Sequence, residues 1–339
     1  MHRFFDSAVA SRHLLRVLAA FPVVLAACGD ATEPTRPVPP TTAPSFGRGG
    51  SGQLKEERIA FMRMGDNGDW GNVFTMRTDG TDVTQITSTP AEESVPSWSP
   101  DYKKLVFIKQ TGAQNGTGRV VHVMNADGTN VVQVTQPVAN SSDMAPRWSP
   151  DGKSIVFGAM RHGNLEIYTV SPNGAALTRV TDHPKPDETP SWSPDSKRIL
   201  FASYRGTSGY EDIYIMNADG SNVVKLTVGR TNKRHPMMSP DGTKIVYQSE
   251  SYSQQGGQMG EIRMMNADGT NDVVLVPDIA GADYVGQPTW SRDGKKIAYN
   301  YHHLVGQLGS EIRVLDLTTQ QTTTLTTVPP SSDYPSWGR

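Results

Sequence analysis

The sequence predicts an all-β protein built from six similar repeats. One motif, Pro-x-Trp followed by Ser-Pro-Asp or a close variant, returns with spacings of 50, 44, 46, 52 and 47 residues, with Met238 in the Trp position of the fourth copy. The five complete copies are Pro96–Asp101, Pro146–Asp151, Pro190–Asp195, Pro236–Asp241 and Pro288–Asp293. A sixth copy, Pro335–Trp337, stops two residues before the end of the sequence. Such a period is typical of repeat architectures, whose units bury their apolar faces against one another.

Each repeat contains four short strands. In the second repeat, a turn at Ser149–Gly152 precedes the strand Lys153–Phe157, because its proline presets φ, its aspartate bonds to the local backbone and its glycine accepts positive φ. Alternation over Glu166–Val170 predicts the next strand, and Asn173–Gly174 is a strong hairpin signal before the last strand, Thr178–Thr181. With the motif as its first strand, the repeat is an antiparallel meander.

The two ends of the repeat region complement each other. Pro335–Trp337 is a first strand without its three successors, whereas Arg58–Phe61, Val73–Met76 and Val83–Ile86 are three strands without a first one. Joined, they make one blade and protect two otherwise open sheet edges. The predicted fold is therefore a six-bladed β-propeller with four antiparallel strands per blade, closed by a C-terminal strand that joins the N-terminal blade.

Residues 1–27 have the plan of a lipoprotein signal peptide. Three arginines precede or border an apolar run, Val17–Ala27, whose 11 residues are too few to span a bilayer. Leu25–Cys28 resembles the bacterial lipobox, in which the cysteine is acylated after cleavage just before it. We therefore expect lipid attachment at Cys28, the only cysteine, which also excludes an intrachain disulfide. The alternative is an ordinary cleavage site that adjoins a cysteine by chance.

Residues 28–56 are rich in Pro, Thr and Gly, and we expect them to form a disordered tether before a propeller at residues 57–339. Removing the leader takes away three Arg and one Asp and leaves 29 basic and 33 acidic residues, a formal charge of −4. This balance gives no support for a nucleic-acid partner, which needs a basic surface. We expect a monomer held at a membrane through Cys28.

The repeat resembles a known family. Trp-Ser-Pro-Asp-Gly-Lys, followed by an Ile-Tyr-x-Met-Asn-Ala-Asp-Gly hairpin, is similar to the WD40-like PD40 repeat of the TolB propeller, and the resemblance runs from about residue 57 to the last motif copy. It implies the propeller fold and a periplasm-facing place in the bacterial cell envelope. The tether is too short for the α/β domain that precedes the TolB propeller, and TolB is not known as a lipid-anchored protein. Partner-binding residues are therefore not transferred.

The candidate binding surface is the face that carries the long B-C and D-A loops, with strands named A to D within a blade. The A-B and C-D turns of the other face are short and uniform, and function usually lies on variable loops. Residues just before each motif form an acidic rim with one basic sector, which suits a cation, an amine or a sugar. The candidate ligand-binding residues are Glu93, Asp143, Glu188, Arg234, His235, Asp333 and Tyr334. The alternative is that each aspartate caps the turn before its proline.

The loop aromatics and the repeated tryptophans and aspartates also have structural explanations. Aromatic residues in the B-C loops, Trp70 and Tyr252, suit stacking on a carbohydrate or peptide, or are ordinary loop residues. The repeated tryptophans predict packing. The repeated aspartate of the Ser-Pro-Asp turn predicts a structural bond within the turn rather than a ring of metal ligands.

The sequence favours a binding protein over an enzyme. It contains neither a Gly-x-Ser-x-Gly elbow nor a His-Glu-x-x-His motif, so we predict no catalytic residue, metal or cofactor. The first hypothesis is a lipid-anchored scaffold that binds an envelope protein or a carbohydrate through its loop-rich face. The alternative is a carbohydrate-active lyase or hydrolase with acid/base or metal-binding residues on the rim, where His183 and His235 occupy adjacent sectors. A rim histidine within reach of a carboxylate, or a three-ligand metal site, favours the enzyme.

The lipid anchor has a direct test. Because acylation needs the thiol, Cys28→Ser should release the protein from the membrane fraction and leave it without incorporated labelled palmitate. Gly29, not Asp, follows the cysteine, so by resemblance to enterobacterial sorting the wild-type protein should fractionate with the outer membrane. A Cys28→Ser protein that stays on the membrane and is cleaved at the same bond contradicts lipid attachment.

Overall fold

The computed structural model describes residues 56–65, 71–112, 118–252, 258–278, 283–303 and 309–338. The predicted signal peptide, Cys28 and nearly all of the predicted tether lie outside the described residues. Trp70 and the side chain of Tyr252 also lie outside them. Among the described residues there is no helix with the length and hydrophobicity needed to cross a membrane.

In the described part of the chain, 24 strands form six four-stranded sheets, which we number as blades in chain order. Blades 1 to 3 contain β1 (Arg58–Arg63), β2 (Asn72–Arg77), β3 (Thr84–Gln85); β4 (Glu93–Trp98), β5 (Lys104–Gln110), β6 (Arg119–Asn125), β7 (Val132–Gln133); and β8 (Asp143–Trp148), β9 (Ile155–Ala159), β10 (Glu166–Val170), β11 (Thr178–Arg179). Blades 4 to 6 contain β12 (Asp187–Trp192), β13 (Arg198–Ser203), β14 (Asp212–Asn217), β15 (Val224–Lys225); β16 (Asn232–Met238), β17 (Lys244–Tyr252), β18 (Gln258–Asn266), β19 (Val273–Val276); and β20 (Asp283–Trp290), β21 (Lys296–His303), β22 (Gly309–Asp316), β23 (Thr322–Thr324). The last strand, β24 (Ser332–Trp337), belongs to blade 1.

The sheets confirm the predicted propeller. Blades 2 to 6 are meanders of consecutive strands, and every neighbouring pair is antiparallel. Blade 1 has the order β24-β1-β2-β3, so the C-terminal strand completes the N-terminal blade. In that pairing Trp337 lies opposite Ile59 and Ser332 lies opposite Arg63, and the Trp337 indole N–H donates to a Glu57 carboxylate oxygen at 3.1 Å. The predicted mode of closure is therefore confirmed.

The first strands of the blades surround the axis of the ring. They contact one another in the cyclic order β4, β8, β12, β16, β20, β24 and back to β4. Each carries a β-bulge, where one extra residue bends the strand. The residue before the motif proline has a positive φ in all six: Val95 (52°), Ala145 (48°), Thr189 (50°), His235 (51°), Gln287 (52°) and Tyr334 (55°).

We call these six residues, whose backbone lies in the left-handed region, the left-handed ring. Their conformation is unusual, because residues before proline normally adopt extended conformations and positive φ is uncommon outside glycine. Hydrogen bonds between adjacent blades fix it. The backbone N–H of His235 donates to the Thr189 hydroxyl at 3.2 Å, and that of Tyr334 donates to Gln287 Oε1 at 3.2 Å. The ring separates the axial residues of the loop-rich face from those of the short-turn face.

The core lies between the blades rather than within them. Six apolar clusters occupy the six interfaces, and each contains side chains of two neighbouring blades. The interface of blades 3 and 4, for example, packs Val156 and Ile167 against Trp192 and Phe201. The motif tryptophans Trp98, Trp192, Trp290 and Trp337 are 3–6% exposed, as their predicted packing role requires.

The short A-B turns are held by the motif aspartate. The Ser99 hydroxyl donates to Asp101 at 2.7 Å, and the Lys103 backbone N–H donates to the same oxygen at 3.1 Å. Equivalent bonds form at Asp151, Asp195, Asp241 and Asp293. These aspartates therefore have the structural role that the motif predicts.

Candidate functional site

The first strands begin at the loop-rich face and end at their tryptophan near the short-turn face. The axis therefore has two ends. We call the end that carries Glu188, Arg234, His302, Asp333 and Tyr334 the loop-rich mouth. Its side chains come from inner strands or from the strands paired with them, so they are positioned by hydrogen-bonded sheet rather than by loops.

Arg234 is the centre of the loop-rich mouth. Its guanidinium donates to Glu211, lies 3.6 Å from Glu250 and 4.0 Å from Glu188, and is about one-quarter exposed. Three carboxyl groups thus surround one cation. Burial and the neighbouring Glu188 carboxyl group raise the pKa of Glu211 well above its ordinary value of 4.5, although Arg234 opposes this shift. A proton on Glu211 relieves part of the surplus negative charge, because like charges at short range cannot all ionise.

A buried network supports this cluster from blades 5 and 6. The Tyr284 hydroxyl donates to Glu250 at 2.8 Å, and Gln248 contacts both groups. Gln248 also accepts the backbone N–H of Gln287 at 2.9 Å, which ties the network to the left-handed ring. A Cβ at Gly286 would collide with the Gln248 amide, so a larger residue there would displace that amide from the network.

Two predicted rim carboxylates are buried in ion pairs. Glu93 is 1% exposed and accepts from Lys109 at 2.9 Å. Asp143 is 2% exposed and accepts two hydrogen bonds from Arg161 at 2.7 Å. Burial raises the pKa of Asp143, and the Arg161 charge opposes the shift. A ligand can reach these carboxylates only by displacing their own cations, and a binding role for them stays a prediction.

The contacts of Asp143 bear on the alternative that each rim aspartate caps the turn before its proline. Its partners are Arg161 and the Thr135 hydroxyl, not the turn before its proline. Asp187 is paired in the same way with Arg205 in the next blade along the chain. The turn-capping alternative is therefore wrong at these two positions.

His235 lies between two arginines near the middle of the axis. Burial, then the charges of Arg147 and Arg234, lower its pKa from 6.5 to about 3. The imidazole is therefore neutral at physiological pH and cannot supply a positive charge to a ligand there. It remains able to donate one hydrogen bond and accept another.

Asp333 and Tyr334 come to the mouth on β24. Asp333 accepts from Asn300 at 2.8 Å and lies 3.4 Å from His302 Nε2. His302 also packs against the Tyr284 ring at 5.4 Å between centroids. This histidine–carboxylate contact is one of the two features that would favour an enzyme. The second such feature, a three-ligand metal site, is not seen, since across the described ranges no three His, Cys, Asp or Glu side chains converge as metal ligands.

The motif alone does not find Glu211, Glu250, Asn300 or Tyr284. A weaker signal lies in the repeat alignment, where blades 5 and 6 place Gln248 and Asn300 at a buried strand position that is Ile108, Gly158 or Ala202 in blades 2 to 4. A buried amide in an apolar strand needs partners, so it marks a polar cluster. The amides of Gln248 and Asn300 indeed hold Glu250 and Asp333.

Comparison with known proteins agrees with the fold and the motif. Residues 136–259 match the profile of the TolB β-propeller domain. An uncharacterized protein of Agrobacterium fabrum is 31% identical over 155 residues, which cover 45% of this chain and 52% of that protein. The Tol-Pal system protein TolB of Francisella tularensis is 28% identical over 199 residues, which cover 45% of this chain and 44% of that protein. The chain spans about half the length of these curated relatives.

The solved structures show the same fold. The crystal structure of TolB from Acinetobacter baumannii superposes with a TM-score of 0.67 at 21% identity, covering 83% of this chain and 66% of that chain. Together with the matched profile, this similarity confirms a TolB-like β-propeller, as the PD40 motif predicts.

The depressed pKa of His235 predicts a pH dependence. Unfolded His235 takes up a proton near pH 6.5, whereas the folded protein resists protonation until about pH 3. His235→Asn keeps a residue that tolerates positive φ and removes the titration. The free energy of unfolding of the wild type, relative to this variant, should therefore fall as the pH is lowered below 6.5. Urea unfolding between about pH 7.5 and 4.5 measures the difference, and a constant difference contradicts a neutral imidazole in the folded protein.

Proposed function

We propose that this chain is a non-catalytic, protein-binding propeller of the bacterial cell envelope, which binds its partner at the loop-rich mouth. Its similarity to TolB supports a protein-binding role and a periplasm-facing location. The sequence supports the further proposal that a lipid on Cys28 holds it at the outer membrane, with residues 28–56 as the tether.

The observation that carries this proposal is the composition of the mouth. Arg234 on β16 and Tyr334 on β24, with β20 between them, both belong to inner strands of the ring and are only partly buried, on a rigid sheet framework. Arginine and tyrosine, with tryptophan, are enriched among the energetic centres of protein interfaces. A rigid support also lowers the ordering cost of binding.

The charge of the mouth defines the partner's surface. Glu188, Glu211 and Glu250 surround a single guanidinium, and Asp333 adds a further carboxylate beside His302. The net charge of these groups is negative even with a proton on Glu211. A partner segment that presents lysine or arginine complements this negative charge, and the attraction between the two surfaces steers their encounter.

The experiment is affinity capture from envelope extract with the chain from residue 29 onward. Tyr334→Asn removes the ring while keeping a residue suited to its φ of 55°. We expect this variant and Glu188→Gln to bind the captured protein about thirtyfold more weakly, the effect of losing an interface centre worth about 2 kcal/mol. Lys153→Gln, an exposed change on the short-turn face, is the matched control and should bind as the wild type does.

Equal binding by Tyr334→Asn, Glu188→Gln and the wild type contradicts the loop-rich mouth as the interface. Capture of a glycan instead of a protein, lost in the same two variants, supports the same surface but contradicts a protein partner. Both outcomes are read from the same elution by mass spectrometry and sugar analysis.

One observation favours the second candidate, a carbohydrate-active enzyme. His302 Nε2 lies 3.4 Å from Asp333 at the rim, close enough for a base and its orienting carboxylate. In this case uronate polysaccharides incubated with the protein should give unsaturated products, and Asp333→Asn should abolish them. Products from the wild type would overturn the non-catalytic proposal.

A further inference from the structure

The opposite end of the axis contains a cavity of about 260 Å³, which we call the turn-side funnel. All six blades contribute to its wall through the residue between Pro and Trp of each motif. These residues are Ser97, Arg147, Ser191, Met237, Thr289 and Ser336. The cavity therefore lies on the propeller axis, on the short-turn side of the left-handed ring.

Among the described residues, the funnel has positively charged side chains and no carboxylate in its lining. Among the described residues that line it, the charged ones are Arg147 and Arg292. Arg147 makes no ion pair within 4.0 Å in the described part of the chain, and its guanidinium donates only a long hydrogen bond, 3.4 Å, to the backbone oxygen of Pro146. Burial lowers the pKa of Arg147 to about 10.

Two other arginines of the blades, Arg161 and Arg205, have carboxylate partners. Arg161 is paired with Asp143 and Arg205 with Asp187, so each buried guanidinium has a buried carboxylate of its own. Arg147 is partly exposed to the funnel, and a partly desolvated charge without a partner is destabilised. A cation at Arg147 is therefore most stable when an anion enters the funnel.

The groups that face Arg147 do not supply that anion. His235, whose pKa is lowered by the Arg147 charge, is neutral at physiological pH. Asp151, in the turn that follows Arg147, accepts from the Ser149 hydroxyl at 2.6 Å and from the Lys153 backbone N–H at 3.1 Å, so it is used within its own turn. Arg292 stands at the entrance, where its guanidinium lies 5.8 Å from the centre of the Tyr102 ring.

Arg147 is also a departure from the repeat. The equivalent position is serine or threonine in blades 1, 2, 4 and 6 and Met237 in blade 5, so the inner strand forms without a guanidinium there. Arg292 likewise replaces the proline that the other complete motif copies have in the turn. Both changes put positive charge at the same cavity, which a packing role alone does not require.

We propose that the turn-side funnel binds a carboxylate group, with the Arg147 guanidinium as its principal partner and Arg292 at the entrance. A single guanidinium balances a single negative charge and can bind both oxygens of a planar carboxylate. The serine hydroxyls of the wall, Ser97 and Ser336, are within the cavity to donate further hydrogen bonds. The cavity is smaller than the roughly 300–1,000 Å³ of pockets for whole ligands, so it receives the end of a larger molecule.

The carboxylate can belong to a protein segment, as a chain terminus or an acidic side chain, or to an acidic sugar. The experiment separates these sources. Calorimetric titration of the full mature chain uses four probes: a short peptide with a free C-terminal carboxylate, the same peptide as its amide, glucuronate and inorganic phosphate. We expect the free peptide or glucuronate to bind, and the amide and phosphate to bind at least roughly tenfold more weakly.

The variants assign the binding to Arg147. Arg147→Gln and Arg147→Met should reduce carboxylate affinity roughly tenfold or more and should not lower the melting temperature, because they remove an uncompensated charge. Lys153→Gln removes the same charge from the same blade and face and should bind as the wild type does. Should both Arg147 variants fail to fold, Arg147→Lys keeps the charge without the planar fork and should bind more weakly than the wild type.

Unchanged binding in the Arg147 variants overturns the proposal. An equal loss in Lys153→Gln overturns it too, because the effect would then come from the charge of the whole face. Tighter binding of phosphate than of any carboxylate contradicts the assigned chemistry. Tyr334→Asn should leave carboxylate binding unchanged, so this result is independent of the partner proposed for the loop-rich mouth.

Discussion

The pairing of β24 with β1 is the interaction on which the rest of this structure depends. Each blade covers an apolar face of the next, so the six clusters are complete only in a closed ring. β24 also carries residues of both ends of the axis: Asp333 and Tyr334 at the loop-rich mouth and Ser336 at the turn-side funnel. Without this pairing blade 1 loses its inner strand, and two sheet edges are left open.

Charge compensation gives the two ends of the axis different chemistry. Within the blades, buried carboxylates and cations neutralise one another, as in Glu93 with Lys109 and Asp143 with Arg161. At the loop-rich mouth Arg234 is outnumbered by three carboxyl groups, whereas at the funnel Arg147 has no carboxylate partner among the described residues. The left-handed ring separates the negatively charged mouth from the positively charged funnel, and neutral His235 lies between the two. The two ends of the axis are therefore electrostatically distinct.

The blade count and the closure follow from the sequence because the motif tryptophans report burial at a fixed period. The bulge before each proline does not, since local preference favours an extended residue there and the contacts between blades override it. The ion pair of Asp143 is equally hidden, because its partner Arg161 is 18 residues away along the chain. At the site, the motif locates Arg234 but not its carboxylate partners Glu211 and Glu250, which come from other strands and loops.

Closure is tested most directly by removing residues 335–339 and measuring urea unfolding together with amide hydrogen exchange in β1. The truncation removes Trp337, which is 5% exposed between blades 1 and 6, and it also removes half of the strand that pairs with β1. The free energy of unfolding should fall by at least about 3–5 kcal/mol, the cost of losing a large buried aromatic side chain, and the β1 amides that face β24 should exchange faster. An unchanged midpoint and unchanged exchange in β1 would show that the ring does not depend on β24.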